Sequence, residues 1–205
     1  MDKKIYDSWG QLTVRQYDEI VHIQKEHPDD SAKYIVEYLY NVDNADNLPL
    51  HEYGCYVANL RRFLPHPIDK ARLTPNAEYE VHGRKYRVDI TPSAFTVAQY
   101  IDFTNYTQRQ ATLNDLLSVV IIPDGKQYND GYDMRQAKED IGDLPLEVGF
   151  AVLGFFGRWS KASIRTFLRF LTKTMKKTGK VAPETMSKLE KEVETLLQSL
   201  ASFPM

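Results

Sequence analysis

The chain has 205 residues, a single cysteine, and a formal net charge of −2 from 26 Lys+Arg against 28 Asp+Glu. That length buries enough apolar surface for one large domain or two small ones without disulfides or metals. The near-neutral balance excludes the global field of a chain built to coat nucleic acid or an anionic membrane, so a charged partner has to be met by a local patch.

Cys55 excludes an internal disulfide framework and, standing in an apolar stretch, is expected to be a small core residue. The start, Met1-Asp2-Lys3-Lys4-Ile5-Tyr6, lacks the apolar run of a signal peptide. The most apolar window, 148–156, falls far short of the roughly 20 residues that cross a bilayer. A soluble protein of a reducing cytoplasm, with no membrane partner, is expected.

The first element is signalled by Leu12-Thr13-Val14-Arg15-Gln16-Tyr17. Thr13 followed three residues later by Gln16 is a capping box, and Leu12 with Tyr17 is the apolar pair that staples the chain across it. A helix runs from there to about residue 24 and is broken at His27-Pro28-Asp29-Asp30. A second helix is expected over 31–40 and a polar loop over 41–47. Leu48-Pro49-Leu50 opens a third helix, which Pro65-His66-Pro67 stops. These three elements form a first helical unit, 1–67.

Residues 68–92 read as a linker and a short β-hairpin. Tyr79 and Val81, then Tyr86, Val88 and Ile90, alternate with polar residues around His82-Gly83. A lone hairpin is barely stable in water, so this one is expected to pack on a helical unit or pair with another chain.

A second helical unit, 93–160, repeats the signals of the first. Phe95-Thr96-Val97-Ala98-Gln99-Tyr100 repeats the capped start, with Thr96 and Gln99 as the box, and Leu144-Pro145-Leu146 repeats the helix opening. The apolar positions correspond after each: Val57 with Leu153, Leu60 with Phe156, Phe63 with Trp159. The unit continues through the apolar run 113–122, a second helix or strand, whose density implies burial on more than one side. The offset between copies grows between the two motifs, which places an insertion of about 13 residues in the loop and short helix over 126–140. The whole reads as mainly α, two related helical units flanking a β-hairpin with a helical C-terminal extension.

That extension, 161–205, changes character. Basic residues from Arg158 to Lys180 meet no acidic residue before Glu184, and Lys161, Arg165, Arg169, Lys173 and Lys177 recur every four residues. They form a basic stripe on a helix whose other face carries Ile164, Phe167, Leu168, Leu171 and Met175. After Gly179 and Pro183, a last helix carries Met186, Leu189, Val193, Leu196, Leu200 and Phe203 at heptad-like spacing, a seam that wants a partner helix. The basic face could lie on nucleic acid, on an anionic membrane surface or on an acidic protein, or simply be solvated. The neighbouring seam favours protein, which makes Arg165, Arg169, Lys173, Lys177, Leu189, Val193, Leu196 and Leu200 the candidate partner-binding residues, with a homo-oligomer among the outcomes.

No chemistry competes with that reading. The loop 124–133, with Asp124, Asn129, Asp130 and Asp133 among glycines, lacks the ligand spacing and closing glutamate of a calcium loop, and reads as an insertion whose Tyr128 and Tyr132 pack on the domain. The histidines show no zinc-site spacing, and no nucleophile-elbow, phosphate-loop or dinucleotide-binding glycine pattern occurs. A non-enzymatic protein without metal or cofactor is expected.

Several short motifs resemble one family. Trp9, Leu12-Thr13-Val14, Gln16-Tyr17, then Phe95 to Phe103, then Ile122-Pro123-Asp124-Gly125 with Tyr128 to Tyr132, and Leu144-Pro145-Leu146 before Phe155-Phe156, look like a small protein of the structural gene modules of tailed phages infecting Bacteroides, including crAss-like phages. The likeness spans about residues 9–160. It implies a tail-assembly chaperone or small virion component, with phage tail or virion proteins as partners, acting in the host cytoplasm during assembly or in the particle. The alternative is a nucleic-acid-binding or DNA-packaging accessory protein using Arg165, Arg169, Lys173 and Lys177.

Overall fold

The computed structural model describes residues 5–64, 74–88, 96–109 and 111–156. Their architecture is mainly helical, with one small three-stranded antiparallel sheet. The predicted basic and heptad-like helices of the C-terminal region lie outside the described residues, as do Phe95 and Trp159.

Helix α1 (Val14–Glu26) begins at the predicted cap. Thr13 Oγ1 accepts the Gln16 N–H at 3.2 Å and Gln16 Oε1 accepts the Thr13 N–H at 3.0 Å, so two amides at the helix entrance find partners locally. Val14, Tyr17, Ile20 and Ile23 form its buried face. Helix α2 (Ser31–Tyr40) returns after a four-residue connection and ends on Asn41 in the left-handed region, at φ 52°. The polar loop that follows contains a 3-10 turn, Ala45–Asn47, with Ala45 buried.

Helix α3 (Leu50–Phe63) starts on the first Leu-Pro-Leu, with Pro49 at the N-cap, where its missing N–H costs nothing. Tyr56, Leu60 and Phe63 share its buried side. Cys55 is exposed rather than in the core. One helical residue is a rotation of about 100°, so the residue before a core position can face solvent however apolar its sequence neighbours are.

The hairpin forms as expected from strands β1 (Glu78–Val81) and β2 (Arg84–Val88). His82 and Gly83 have φ of 50° and 72°, the paired positive values a two-residue type I′ connection demands, and Val81 stands opposite Arg84. Val81, Tyr86 and Val88 point into the core.

In the second half, α4 (Val97–Gln108) repeats the reciprocal cap, with Thr96 N–H to Gln99 Oε1 at 2.9 Å and Gln99 N–H to Thr96 Oγ1 at 3.2 Å. Helix α5 (Leu113–Val120) carries a third capping box, Thr112 with Asp115. The apolar run left open as helix or strand is both: α5 stops at Val120, and β3 (Ile121–Pro123) pairs antiparallel with β2. Pro123 disfavours helix for the residue before it, and β-branched Ile121 and Ile122 suit a pleated surface. This strand is also what the hairpin needs, since a third strand gives it a stable sheet. The apolar run is buried throughout from Leu116 to Ile122, as its density implied.

Helix α6 (Met134–Gly142) fills the insertion and is capped by Asp133, which accepts the Arg135 and Gln136 N–H groups at 2.9 and 3.3 Å. Residues 146–156 are helical, here α7, and start on the second Leu-Pro-Leu. The starts of α1 and α7 are joined by Val14 N–H to Leu144 O at 3.0 Å and Leu146 N–H to Leu12 O at 2.9 Å. Helices α1 and α4 therefore share a capping box and α3 and α7 a Leu-Pro-Leu start, whereas α2 lacks the capping box of α5, and β3 and α6 are inserted before α7. Val57 and Leu153 are both half-buried, and Leu60 and Phe156 both buried, as the repeat predicts. An aromatic chain crosses between the units: Trp9 lies edge-on to Tyr17 and Phe63 at centroid distances of 5.7 and 5.2 Å, and Tyr17 to Phe150 at 5.1 Å.

Candidate functional site: a groove between α1 and α2

The helical hairpin α1–α2 faces the core with Ile20, Ile23, Ile35, Val36 and Leu39. Its outer edges leave a groove of about 570 Å³ between them. Glu19, His22 and Glu26 line one wall at helical spacing, and Tyr34, Glu37 and Tyr38 the other, above Ile23 and Val42. His27 stacks on Tyr34, with centroids 3.9 Å apart and planes 22° from parallel. Glu37 is held in place because its Oε1 accepts the Ala45 N–H at 2.9 Å. Burial pushes the Tyr38 phenol above its ordinary range, and the Glu19 carboxylate adds to the effect. The Tyr34 ring already has Lys33 Nζ 5.8 Å from its centroid, so the three carboxylates and the Tyr38 ring are what make this a place for a cationic side chain.

Two other charged clusters are bound within the fold. Asp140, almost fully buried, receives the Arg84 guanidinium at 2.7 Å, the Gln136 amide at 3.2 Å and the Tyr86 hydroxyl, and so ties α6 to β2. Burial raises the Tyr86 phenol, and its bond to Asp140 raises it further. Beside it, Asp143 receives Arg15 from α1 at 3.1 Å and the His82 ring from the hairpin turn at 2.9 Å. At the start of α5, Asp18 accepts the Leu113 and Asn114 N–H groups at 2.8 and 2.9 Å. Burial pushes the Asp18 carboxyl up to about 6, with those two amide bonds acting against the rise. Asp115 is opposed by burial too, yet its 2.7 Å contact with Lys138 holds it below the usual carboxylate range.

Of the residues singled out from the sequence, Thr13, Gln16, Thr96 and Gln99 are the helix caps described above. Gln99 does more than cap: buried at 2 % exposure, its amide donates to Val119 O at 2.9 Å and fastens α4 to α5. Arg165, Arg169, Lys173, Lys177, Leu189, Val193, Leu196 and Leu200 lie outside the described residues. The groove went unread in the sequence because its walls come from two helices; the sole local trace is Glu19, His22 and Glu26 recurring at helical intervals. In the insertion, Tyr128 donates to Asp102 at 2.8 Å and Tyr132 is half-buried, so both pack on the domain. Among the described residues, no group of three or more His, Cys, Asp or Glu is placed to hold a metal ion, and no helix is long and apolar enough to cross a membrane.

No family model, curated protein or solved structure matches the chain.

Proposed function

We propose that this protein works by protein contact in the assembly of a phage tail or virion, as an assembly chaperone or small structural component. The observation that carries the reading is how the chain spends its buried charge. Asp18 and Asp140 are bound by amides, a guanidinium and a hydroxyl of the chain itself, and so brace helices against one another. One set of accessible carboxylates and phenols lies instead in an open groove suited to a side chain of a partner. The phage setting rests on the resemblance at the paired motifs.

Pull-down of tail proteins from the same gene module, followed by electron microscopy and mass spectrometry of finished particles, tests it. Binding to a tail protein with absence from particles defines a chaperone, and incorporation at fixed stoichiometry a structural part. Neither binding nor incorporation overturns the proposal.

A further inference from the structure

The charge of this chain is divided along its length. Residues 1–156 carry 16 Lys+Arg and 24 Asp+Glu, a formal −8, while the remaining 49 carry 10 and 4, a formal +6. The near-neutral total hides an acidic body followed by a basic segment. Within 158–177 the cations stand with Ile164, Phe167, Leu168 and Leu171 and with no carboxylate.

The α1–α2 groove has the complementary composition. Glu19, Glu26 and Glu37 supply negative charge at its walls, Tyr38 supplies a ring, and Ile23 with Val42 supplies an apolar base, while the Tyr34 ring is taken up by His27 and Lys33. A basic segment with apolar positions between its cations matches each of these.

We infer that the groove of one copy receives the basic segment 158–177 of a second copy, joining copies head to tail. The last described residue, Phe156, packs against Phe103 of α4, whereas the groove belongs to α1 and α2 of the other unit. The segment starts two residues beyond that anchor, just after Gly157. Such an interface joins two different surfaces, so it closes into a ring or extends as a filament rather than stopping at a dimer. This goes beyond the assembly role proposed above and does not require it.

The test uses the full chain. Labelled (15N) and unlabelled protein are mixed, treated with nuclease, and coupled with a carbodiimide that joins carboxylates to lysines at zero length. Expected are links from Glu19, Glu26 or Glu37 of one label to Lys161, Lys173 or Lys177 of the other. In parallel, Glu19→Lys/Glu26→Lys and Arg165→Glu/Arg169→Glu each weaken self-association roughly tenfold by light scattering at moderate salt, and mixing the two variants restores it because the reversed charges meet. Matching thermal melts separate lost association from lost fold, and the links in the parent protein decide the matter if a variant does not fold. A chain that stays monomeric at every concentration, links confined to one label, association abolished by nuclease, or a mixture no better than its components overturns the inference.

Discussion

The carboxylate of Asp18, in the middle of α1, accepts the Leu113 N–H at 2.8 Å and so caps a helix that begins 95 residues later in the chain. Thr112 already caps α5 from within, so this helix start is held both by its own sequence and by the other unit. The second hold places a carboxylate among packed helices, and burial is the largest influence on it.

A pH dependence follows. The folded Asp18 titrates near 6 against an ordinary 3.8, so between those values the native state holds a proton that the unfolded chain has released. Stability from this group is complete below about pH 4 and falls as pH rises through 6, by about 2–3 kcal/mol. Urea denaturation at pH 4 and pH 6.5 is expected to show Asp18→Asn lacking that share of the parent's change. Equal pH slopes in the two proteins exclude the effect.

Asp140 anchors the sheet to α6. Replacing it with Ala strands the buried Tyr86 hydroxyl and removes the Arg84 partner, at a cost of about 3 kcal/mol. Thermal melting is expected to drop by roughly 10 °C in a domain of this size. Because Tyr86 and Asp140 are in direct contact, Tyr86→Phe combined with Asp140→Ala costs less than the two changes added, and strict additivity would speak against the shared bond.

Within the second capped start, Gln99 carries more than Thr96. Thr13→Ala and Thr96→Ala each remove one reciprocal cap and cost about 1 kcal/mol. Gln99→Ala also frees the buried Val119 carbonyl, and costs about 1–2 kcal/mol more than Thr96→Ala. Chemical denaturation of the three variants measures this, and a Gln99 variant as stable as the Thr96 one would refute it.

Gly149 marks the crossing of α7 over α1 and α5. A Cβ there stands 2.9 Å from Val14 Cγ2 and 3.0 Å from Leu117 Cδ1, both in the core. Gly149→Ala is therefore expected to destabilise by about 1–3 kcal/mol despite its better helix propensity. Adding Val14→Ala relieves the contact and recovers part of the loss, which a double-mutant cycle reads directly.

Cys55 lies on the solvent side of α3. Native protein is expected to react fully with a thiol reagent, at the rate seen in denaturant and without unfolding. Protection until denaturation would place the side chain in the core instead.

The sequence by itself determined what is settled within a few residues. Thr13 with Gln16, Thr96 with Gln99, the His82-Gly83 turn and both Leu-Pro-Leu starts are legible because each partner lies within four positions of the other, so the bond does not depend on where the rest of the chain goes. The tertiary structure alone decided whatever rests on distant segments or on the rotation of a helix. Ile121 and Ile122 belong to an apolar run that suits helix or strand equally, and pairing with β2 selects strand. Cys55 is turned outward because Tyr56, Leu60 and Phe63 choose which face of α3 meets the core. The groove exists only where Glu19 and Tyr38 are brought side by side across the α1–α2 hairpin. Hydrogen bonds at a cap are short-range and carry their own signal, whereas burial is a property of the assembled surface.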